Sequence, residues 1–338
     1  MSLNSNNNPL ISVIIPCKNE EKYIKDCLNS LLDQKDLNDK IEILVVDGMS
    51  TDDTRKIVSE ISNQHPRIKL INNPYFLTPN AMNIGIKESR GEFIAILGAH
   101  TKYSSDYLIN CMELIHNHPD ASCVGGPIIS RGNTSFGKAT ALAMSSRIGV
   151  GNAKHRFPDY EGYAEGACFP VFKKEVFNQI GLYDEELIRN QDDEFNFRMY
   201  KHKMKIYLSP KIKSIYYVRD EPKKLFKQYF EYGLWRVAVI KKHRMPRSFR
   251  QIIPISFFTF MFLIFIISPF LPGNSLIISL ILPGLYVISL LLFGLMLTKK
   301  NGLKIALLFP FATFIMHFAY ALGFLIGTLK YYLNFKIL

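Results

Sequence analysis

Residues 251–298 contain no Lys, Arg, Asp, Glu or His. A run of 48 uncharged residues is too long for one bilayer-crossing helix, which needs about 20. It divides at Pro272-Gly273-Asn274-Ser275, a turn signal, into spans at about 252–272 and 275–297. A third apolar run, over about 305–329, carries only His317. The segment 251–338 is therefore expected as three transmembrane helices. Any domain folded in water must come from the first 250 residues.

Charge sharpens that division. The chain carries a net +12, and residues 201–250 alone hold 15 Lys/Arg against 3 acidic residues. Residues 1–200 hold 21 basic and 26 acidic residues, so the excess sits immediately before the first span. By the positive-inside rule this predicts a cytoplasmic face against anionic lipid head groups. A pI near 9.3 also suits nucleic acid, but no nucleic-acid motif accompanies it, and no nucleic-acid partner is expected. Met1–Pro9 is polar and Asn-rich without a basic and apolar leader, which predicts that the water-soluble part stays in the cytoplasm. On that orientation Thr298–Lys304 lies inside and the C-terminus outside, with Lys330 and Lys336 arguing against the last step. Five cysteines without CxxC spacing are expected free, with Cys123 and Cys168 in the core.

The first 250 residues alternate apolar runs with helical patterns. Leu10–Pro16 and Ile41–Val46 read as buried strands, each followed by a helix: the first opens at Asn19-Glu20-Glu21, the second after Ser50 or Thr51 as cap. Arg67–Ile71 and Glu92–Leu97 read as further strands around a helix over Pro79–Glu88. This is the signature of a mostly parallel sheet with helices on both faces. Residues 127–165 read as a long irregular loop, followed by a helix over Lys173–Gln179 and another beyond Gln191-Asp192-Asp193-Glu194. Short strands at Lys205–Leu208 and Lys213–Val218 come next. Glu221–His243 reads as an amphipathic helix with Leu225, Tyr229, Tyr232, Trp235, Val239 and Ile240 on one face, suited to a membrane surface, with a plain core helix as the alternative. The expected organisation is 1–220, 221–250 and 251–338.

The strand over Glu92–Leu97 ends in Gly98-Ala99-His100, delivering polar groups to the carboxyl edge of the sheet, where open α/β sheets bind ligands. Ser12-Val-Ile-Ile-Pro-Cys-Lys-Asn-Glu20, Val45-Val-Asp-Gly-Met-Ser-Thr-Asp52, Asn83-Ile-Gly85 and Arg90-Gly-Glu-Phe-Ile94 together resemble the opening of family 2 glycosyltransferases of the GT-A fold. Gly125-Gly126-Pro127, Met144–Gly151, Ile180–Glu185, Arg189–Arg198 and Gln228–Gly233 resemble the succinoglycan-type exopolysaccharide subgroup. The resemblance runs over about residues 10–250.

The resemblance implies a mixed, mostly parallel GT-A sheet and a nucleotide-sugar donor, a UDP-sugar, held by Pro16, Asn19, Glu20, Asp47 and Asn83. It implies a divalent cation, Mn or Mg, on the donor diphosphate. Gly98 stands where the family has Asp and leaves His100 as the ligand, so three outcomes are open: a metal on His100 with a substitute carboxylate, metal-free stabilisation by basic residues, or an inactive site. The catalytic base falls on Asp192, with Asp193 second, at a helix amino end whose dipole favours the carboxylate. Arg198, Trp235, Arg236, Arg244 and Arg247 are candidates for contact with the diphosphate or with a lipid-linked polyprenyl acceptor. For the basic cluster before the spans, topogenic charge alone is an equal alternative.

These expectations describe a multi-pass membrane enzyme with a cytoplasmic catalytic domain. It would transfer a sugar by inversion to a lipid-linked saccharide in surface polysaccharide or glycan assembly. A polyprenyl-phosphate glycosyltransferase and a non-catalytic scaffold subunit are the alternatives, and the oligomeric state is left open.

Overall fold

The structure is a computed structural model that describes residues 8–37 and 40–333. Residues 1–7 of the N-terminal segment, and Lys336, lie outside the described residues. The strands are β1 (Ile11–Cys17), β2 (Ile41–Asp47), β3 (Ile68–Asn72), β4 (Phe93–Ile96), β5 (Ala121–Gly126), β6 (Ile128–Arg131), β7 (Gly162–Ala164), β8 (Cys168–Lys173), β9 (Lys205–Leu208) and β10 (Ser214–Tyr217). The first eight helices are α1 (Ile24–Leu32), α2 (Thr54–Gln64), α3 (Thr78–Glu88), α4 (Tyr107–Asn117), α5 (Ser135–Met144), α6 (Arg147–Val150), α7 (Glu175–Ile180) and α8 (Gln191–Lys201). The rest are α9 (Pro222–His243), α10 (Ile253–Ile267), α11 (Ser275–Met296), α12 (Thr298–Asn301) and α13 (Leu303–Tyr332). The chain forms two compact units, Met1–Ile129 with Phe157–Ile215, and Ser130–Arg156 with Tyr216–Leu338.

The first unit is built on an eight-stranded sheet of order β3-β2-β1-β4-β8-β5-β9-β7. β1 to β4 run parallel, as does β5 with β9, while β8 is antiparallel to β4 and β5, and β7 to β9. The pleat sends alternate residues to opposite faces. Ile11, Val13, Ile15, Ile41, Ile43, Val45, Phe93 and Ala95 join one core, and Ile14, Leu44, Val46, Ile94 and Ile96 the other. Both faces are covered, which is why these strands read as unbroken apolar runs. The polar exceptions satisfy one another: buried Ser12 Oγ donates to Glu42 at 2.7 Å, and Glu42 accepts from Arg90 N, Nε and Nη2.

The second unit has a helical core in which Ala141, Ala143 and Met144 of α5 meet Leu225 and Tyr229 of α9 and Phe309, Ala312, Ile315, Met316 and Ala319 of α13. Three helical segments, Ile253–Phe270, Ser275–Met296 and Leu303–Tyr332, are long and apolar enough to cross a membrane.

Three expectations need correction. Residues 127–165 are not a loop throughout: β6, α5, α6, a 3-10 turn over Lys154–Arg156 and β7 form there. α5 buries small residues on most of its surface (Gly137, Ala139, Thr140, Ala141, Ala143), so it shows no polar face from which a helical period could be read. The helix expected from Lys173 starts instead at Glu175, because Lys173 ends β8, a strand whose Pro170 disguised it. The cap of α2 comes from neither Ser50 nor Thr51. Asp52 Oδ1 accepts from Thr54 N at 3.0 Å, and Ser50 is turned toward Asp47.

Candidate active site

The ends of β1, β2 and β4 carry the expected donor groups, and hydrogen bonds knit the first two loops together. Asn19, in the left-handed conformation at φ 56, donates from its N–H to Ser50 Oγ at 2.8 Å and accepts at Oδ1 from Thr51 N at 2.9 Å. Glu20 N donates to Thr54 Oγ1, Glu21 N to Asp52 Oδ2, and Asp53 N to Glu21 Oε2. Desolvation opposes ionisation of Asp52, but its bonds from Thr54 and Glu21 outweigh that and hold its carboxyl below the usual value. These loops are held in shape before any ligand arrives.

Asp47 is fully buried at the tip of β2. It accepts from Ser50 N at 3.0 Å and Ser50 Oγ at 2.5 Å, and pairs with Arg55 Nη1 at 2.7 Å. Arg55 also donates to Asn72 Oδ1 at 2.8 Å and remains one-third exposed. Arg55 escaped the sequence reading. Its signal was a cation in the first turn of the helix following the Asp47 loop. Beside Asp47, Cys17 has its thiol pushed up by burial first and then by the carboxylate. All five cysteines are free; Cys168 is only half-buried rather than a full core residue.

At the end of β4, His100 Nδ1 lies 3.4 Å from Glu20 Oε1, with side chains 58% and 23% exposed. For ligand distances of about 2.1 Å, that separation suits neighbouring positions around one cation. Among the described residues no three His, Cys, Asp or Glu side chains gather as a complete metal cage. The donor set fits a cation bound by two protein groups, with the remaining positions left to phosphate and water oxygens. Gly98 adds nothing to it: a Cβ at that position would sit 2.7 Å from Cε1 of Phe169. Phe169 was not singled out from the sequence, and its separation of 71 residues from Gly98 explains why.

Two expected site residues make contacts that hold the fold together. Asn83 is buried. It donates to Tyr183 O at 2.9 Å and Glu185 Oε1 at 2.8 Å and accepts from Tyr183 N at 2.9 Å, which fastens α3 to the loop before α8. Arg198 bonds to Glu194, to Ile180 O and to Leu182 O, and lies over the Phe195 ring. Its fork compensates the fully buried carboxylate of Glu194. Pro16 lies within β1, paired with Val46.

Asn190, left-handed at φ 59, turns the chain sharply into α8. Asp192 is exposed in the first turn and accepts from Asp193 N at 2.8 Å, Asp193 is half-buried, and Glu194 is fully buried. Of the three acids, Asp192 offers the most accessible carboxylate at the helix amino end. A cleft of about 450 Å³ lined by Glu92, Phe93, Lys173, Lys174, Glu175 and Asn178 lies at the amino end of β4, the edge opposite these groups.

Trp235, Arg236, Arg244 and Arg247 belong to the second unit. Trp235 packs on Tyr331 at 6.3 Å, Arg236 bonds to Tyr320, Arg244 is the exposed left-handed cap of α9, and Arg247 N donates to Gln251 Oε1 at 3.1 Å. His155 joins this cluster unannounced. Burial first, then the charges of Arg156, Arg250, Arg247 and Arg236, hold its imidazole well below the usual pKa. The triplet Lys154-His155-Arg156 was the available signal.

Known proteins resemble this chain. Over 324 residues the chain is 29% identical to the succinoglycan biosynthesis protein ExoA of Rhizobium meliloti, covering 92% of this chain and 93% of that one. It is 29% identical over 333 residues to a Methanococcus voltae dolichyl N-acetyl-alpha-D-glucosaminyl phosphate 3-beta-D-2,3-diacetamido-2,3-dideoxy-beta-D-glucuronosyltransferase, covering 96% and 99%. The mannosyltransferase PcManGT from Pyrobaculum calidifontis, solved with GDP-Man and Mn2+, shares the fold at a TM-score of 0.65 and 17% identity, covering 94% and 87%. The sequence pattern of "Glycosyl transferase family 2" matches residues 12–181, half of the chain, and with it the protein belongs to that family of glycosyltransferases.

Proposed function

We propose that the protein is an inverting glycosyltransferase. It takes a sugar from a nucleoside diphosphate donor, a UDP-sugar, and transfers it to a lipid-linked saccharide at the cytoplasmic face of a cell membrane, in surface polysaccharide or glycan assembly. The observation that carries this is the carboxyl edge of the sheet, where the interlocked loops of Asn19, Glu20 and Asp47 stand beside His100 in the same unit as the exposed Asp192. The name of one relative, given for a dolichyl phosphate sugar, supports this class of acceptor, and the other, in succinoglycan biosynthesis, supports polysaccharide assembly.

Asp192 accepts the proton of the acceptor hydroxyl as its oxygen forms the new bond to the anomeric carbon, opposite the departing diphosphate. The bond from the anomeric carbon to phosphate breaks and its electrons leave with the nucleotide. Glu20 and His100 are the residues that would hold a divalent cation, Mn or Mg, which when bound supplies charge neutralisation for that leaving group. Asn19 and Asp47 keep the donor loops in shape, so little ordering is needed on binding. In the second unit, Arg156, Arg236, Arg247 and Arg250 around the buried His155 provide a cationic cluster for the acceptor's phosphate.

The test is nucleotide release by the detergent-solubilised protein from UDP-, GDP- and dTDP-sugars. It is run with lipid-linked saccharide, with bare polyprenyl phosphate or with no lipid, each with Mn, Mg or chelator. Release that requires the lipid-linked saccharide supports the proposal. Release on bare polyprenyl phosphate moves the acceptor to the lipid itself, and silence together with absent nucleotide binding refutes the enzyme.

A further inference from the structure

We propose that Arg55 is the residue that reads the base of the nucleotide donor. Its guanidinium donates to a ring carbonyl oxygen of the base, uracil O4 in a UDP-sugar. Asp47 beneath it is a positioning residue that does not touch the base. The inference rests on the nucleotide-sugar reading above and assigns the base specificity within it.

The first observation is that the carboxylate at the tip of β2 is already used up. The Asp47 side chain has no exposed surface. Its Oδ1 accepts from Ser50 Oγ at 2.5 Å and faces the Cys17 thiol at 3.8 Å. Its Oδ2 accepts from Ser50 N at 3.0 Å and from Arg55 Nη1 at 2.7 Å. A carboxylate offers about four lone-pair sites, so these four contacts leave no oxygen open to a ligand.

The second is how Arg55 is held above it. Asp47 and Asn72 are partners in the parallel register of β2 and β3. They grip the two arms of one guanidinium, Asp47 at Nη1 and Asn72 at Nη2, the latter at 2.8 Å. A group that served only to neutralise Asp47 would not need the second acceptor. Gripping both arms fixes the plane of the fork, and a fixed fork loses little freedom on binding. Of its five N–H groups two are engaged, and the side chain remains 34% exposed at the carboxyl edge of the sheet, where ligands bind.

The third is the loop that closes beside the same strand tip. Asn73 N donates to Asp47 O at 2.8 Å, Asn73 Oδ1 accepts from Tyr75 N at 3.2 Å, and Asn73 Nδ2 donates to Leu77 O at 2.9 Å. This loop holds Phe76 in the left-handed conformation at φ 63, uncommon for a bulky residue, with its side chain 53% exposed. Phe76 O abuts Gly48, and Lys18 Nζ stands 4.9 Å from the ring centre. An exposed aromatic ring and one fixed directional donor are the two groups a base site requires, since stacking accepts any base and the hydrogen bond selects among them.

The selection follows from charge. Arginine only donates. Uracil, like thymine, presents a carbonyl oxygen at C4 where cytosine presents an amino group that also donates. Arg55 therefore favours uracil and is opposed by cytosine.

The test is calorimetric binding of UDP and of CDP to the detergent-solubilised full chain at one fixed Mn2+ concentration. The unsubstituted chain should prefer UDP by about tenfold or more, the effect of one charge-assisted hydrogen bond. Removing Arg55 alone would strand the buried carboxylate, so Arg55→Met is made in Asp47→Asn, whose amide oxygen still accepts from Arg55. Asp47→Asn by itself should bind UDP more weakly and keep the preference. Adding Arg55→Met should bring the two nucleotides within about threefold of each other. A role for Arg55 in folding alone would weaken both nucleotides equally and leave the ratio standing. A preference that survives in the double variant, one lost already in Asp47→Asn, or none in the unsubstituted chain while it binds both nucleotides, overturns the proposal and leaves the donor reading intact. No binding of UDP by the unsubstituted chain would overturn that reading and this inference with it.

Discussion

Gly98 stands where the resemblance to family 2 glycosyltransferases implies an Asp, and the structure says what fills the space. An ideal Cβ on Gly98 would lie 2.7 Å from Cε1 and 3.2 Å from Cζ of Phe169, whereas carbon atoms in good contact stand about 3.5–4.0 Å apart. The ring is not free to retreat. Phe169 is held at φ 45, its carbonyl accepts from Tyr107 Oη at 2.8 Å, and its ring meets the edge of Tyr103 at 5.7 Å. Tyr103 Oη in turn accepts from Gly98 N and donates to Gly98 O. Gly98→Ala should therefore cost about 1–3 kcal/mol by overpacking, lowering the melting temperature of the solubilised protein by about 2–4 °C for each kcal/mol. In a Phe169→Ala background the same substitution should be nearly neutral, and Gly98→Asp should then tighten Mn2+ binding, read by water-proton relaxation. An equal loss in both backgrounds, or no loss in either, would show that the ring does not occupy that space. With Phe169 intact, Gly98→Asp should destabilise without improving metal affinity.

Asp192→Asn should abolish sugar transfer while nucleotide binding, measured by calorimetry, stays close to unchanged; full activity would remove Asp192 as the base. Arg198→Met should destabilise by about 3–5 kcal/mol, because Glu194 is left as an uncompensated buried charge, and pairing it with Glu194→Gln should restore much of the loss. A change confined to acceptor KM would contradict that structural role. Asn83→Ala should lower the melting temperature with donor KM nearly constant, since the lost bonds are to Tyr183 and Glu185. Glu42 gives an acid signature. Burial pushes its carboxyl up, but bonds from Ser12 and Arg90 outweigh this and hold it below the ordinary 4.5. A carboxyl depressed in the fold stabilises fully above 4.5 and loses that contribution as pH falls through its folded value. Below pH 4.5 the unsubstituted protein should therefore lose stability more steeply than Glu42→Gln, and equal slopes would refute the assignment.

The parallel strands were legible because burial on both faces writes itself as Ile-Val-Leu runs, and the start of α8 because an acidic turn opening a helix is a local pattern. The contacts of Asn83 and Arg198 were less legible: apart from Glu194, one turn from Arg198, their partners are distant in sequence, and a backbone carbonyl leaves no mark there. The α9–α13 pair was more readable than it first looked. Gly323-x-x-x-Gly327 inside an apolar stretch marks a face that a second helix approaches closely. Hydropathy counts the apolar residues of α13 without asking what covers them, so it cannot separate a helix buried under α5 and α9 from one buried in lipid.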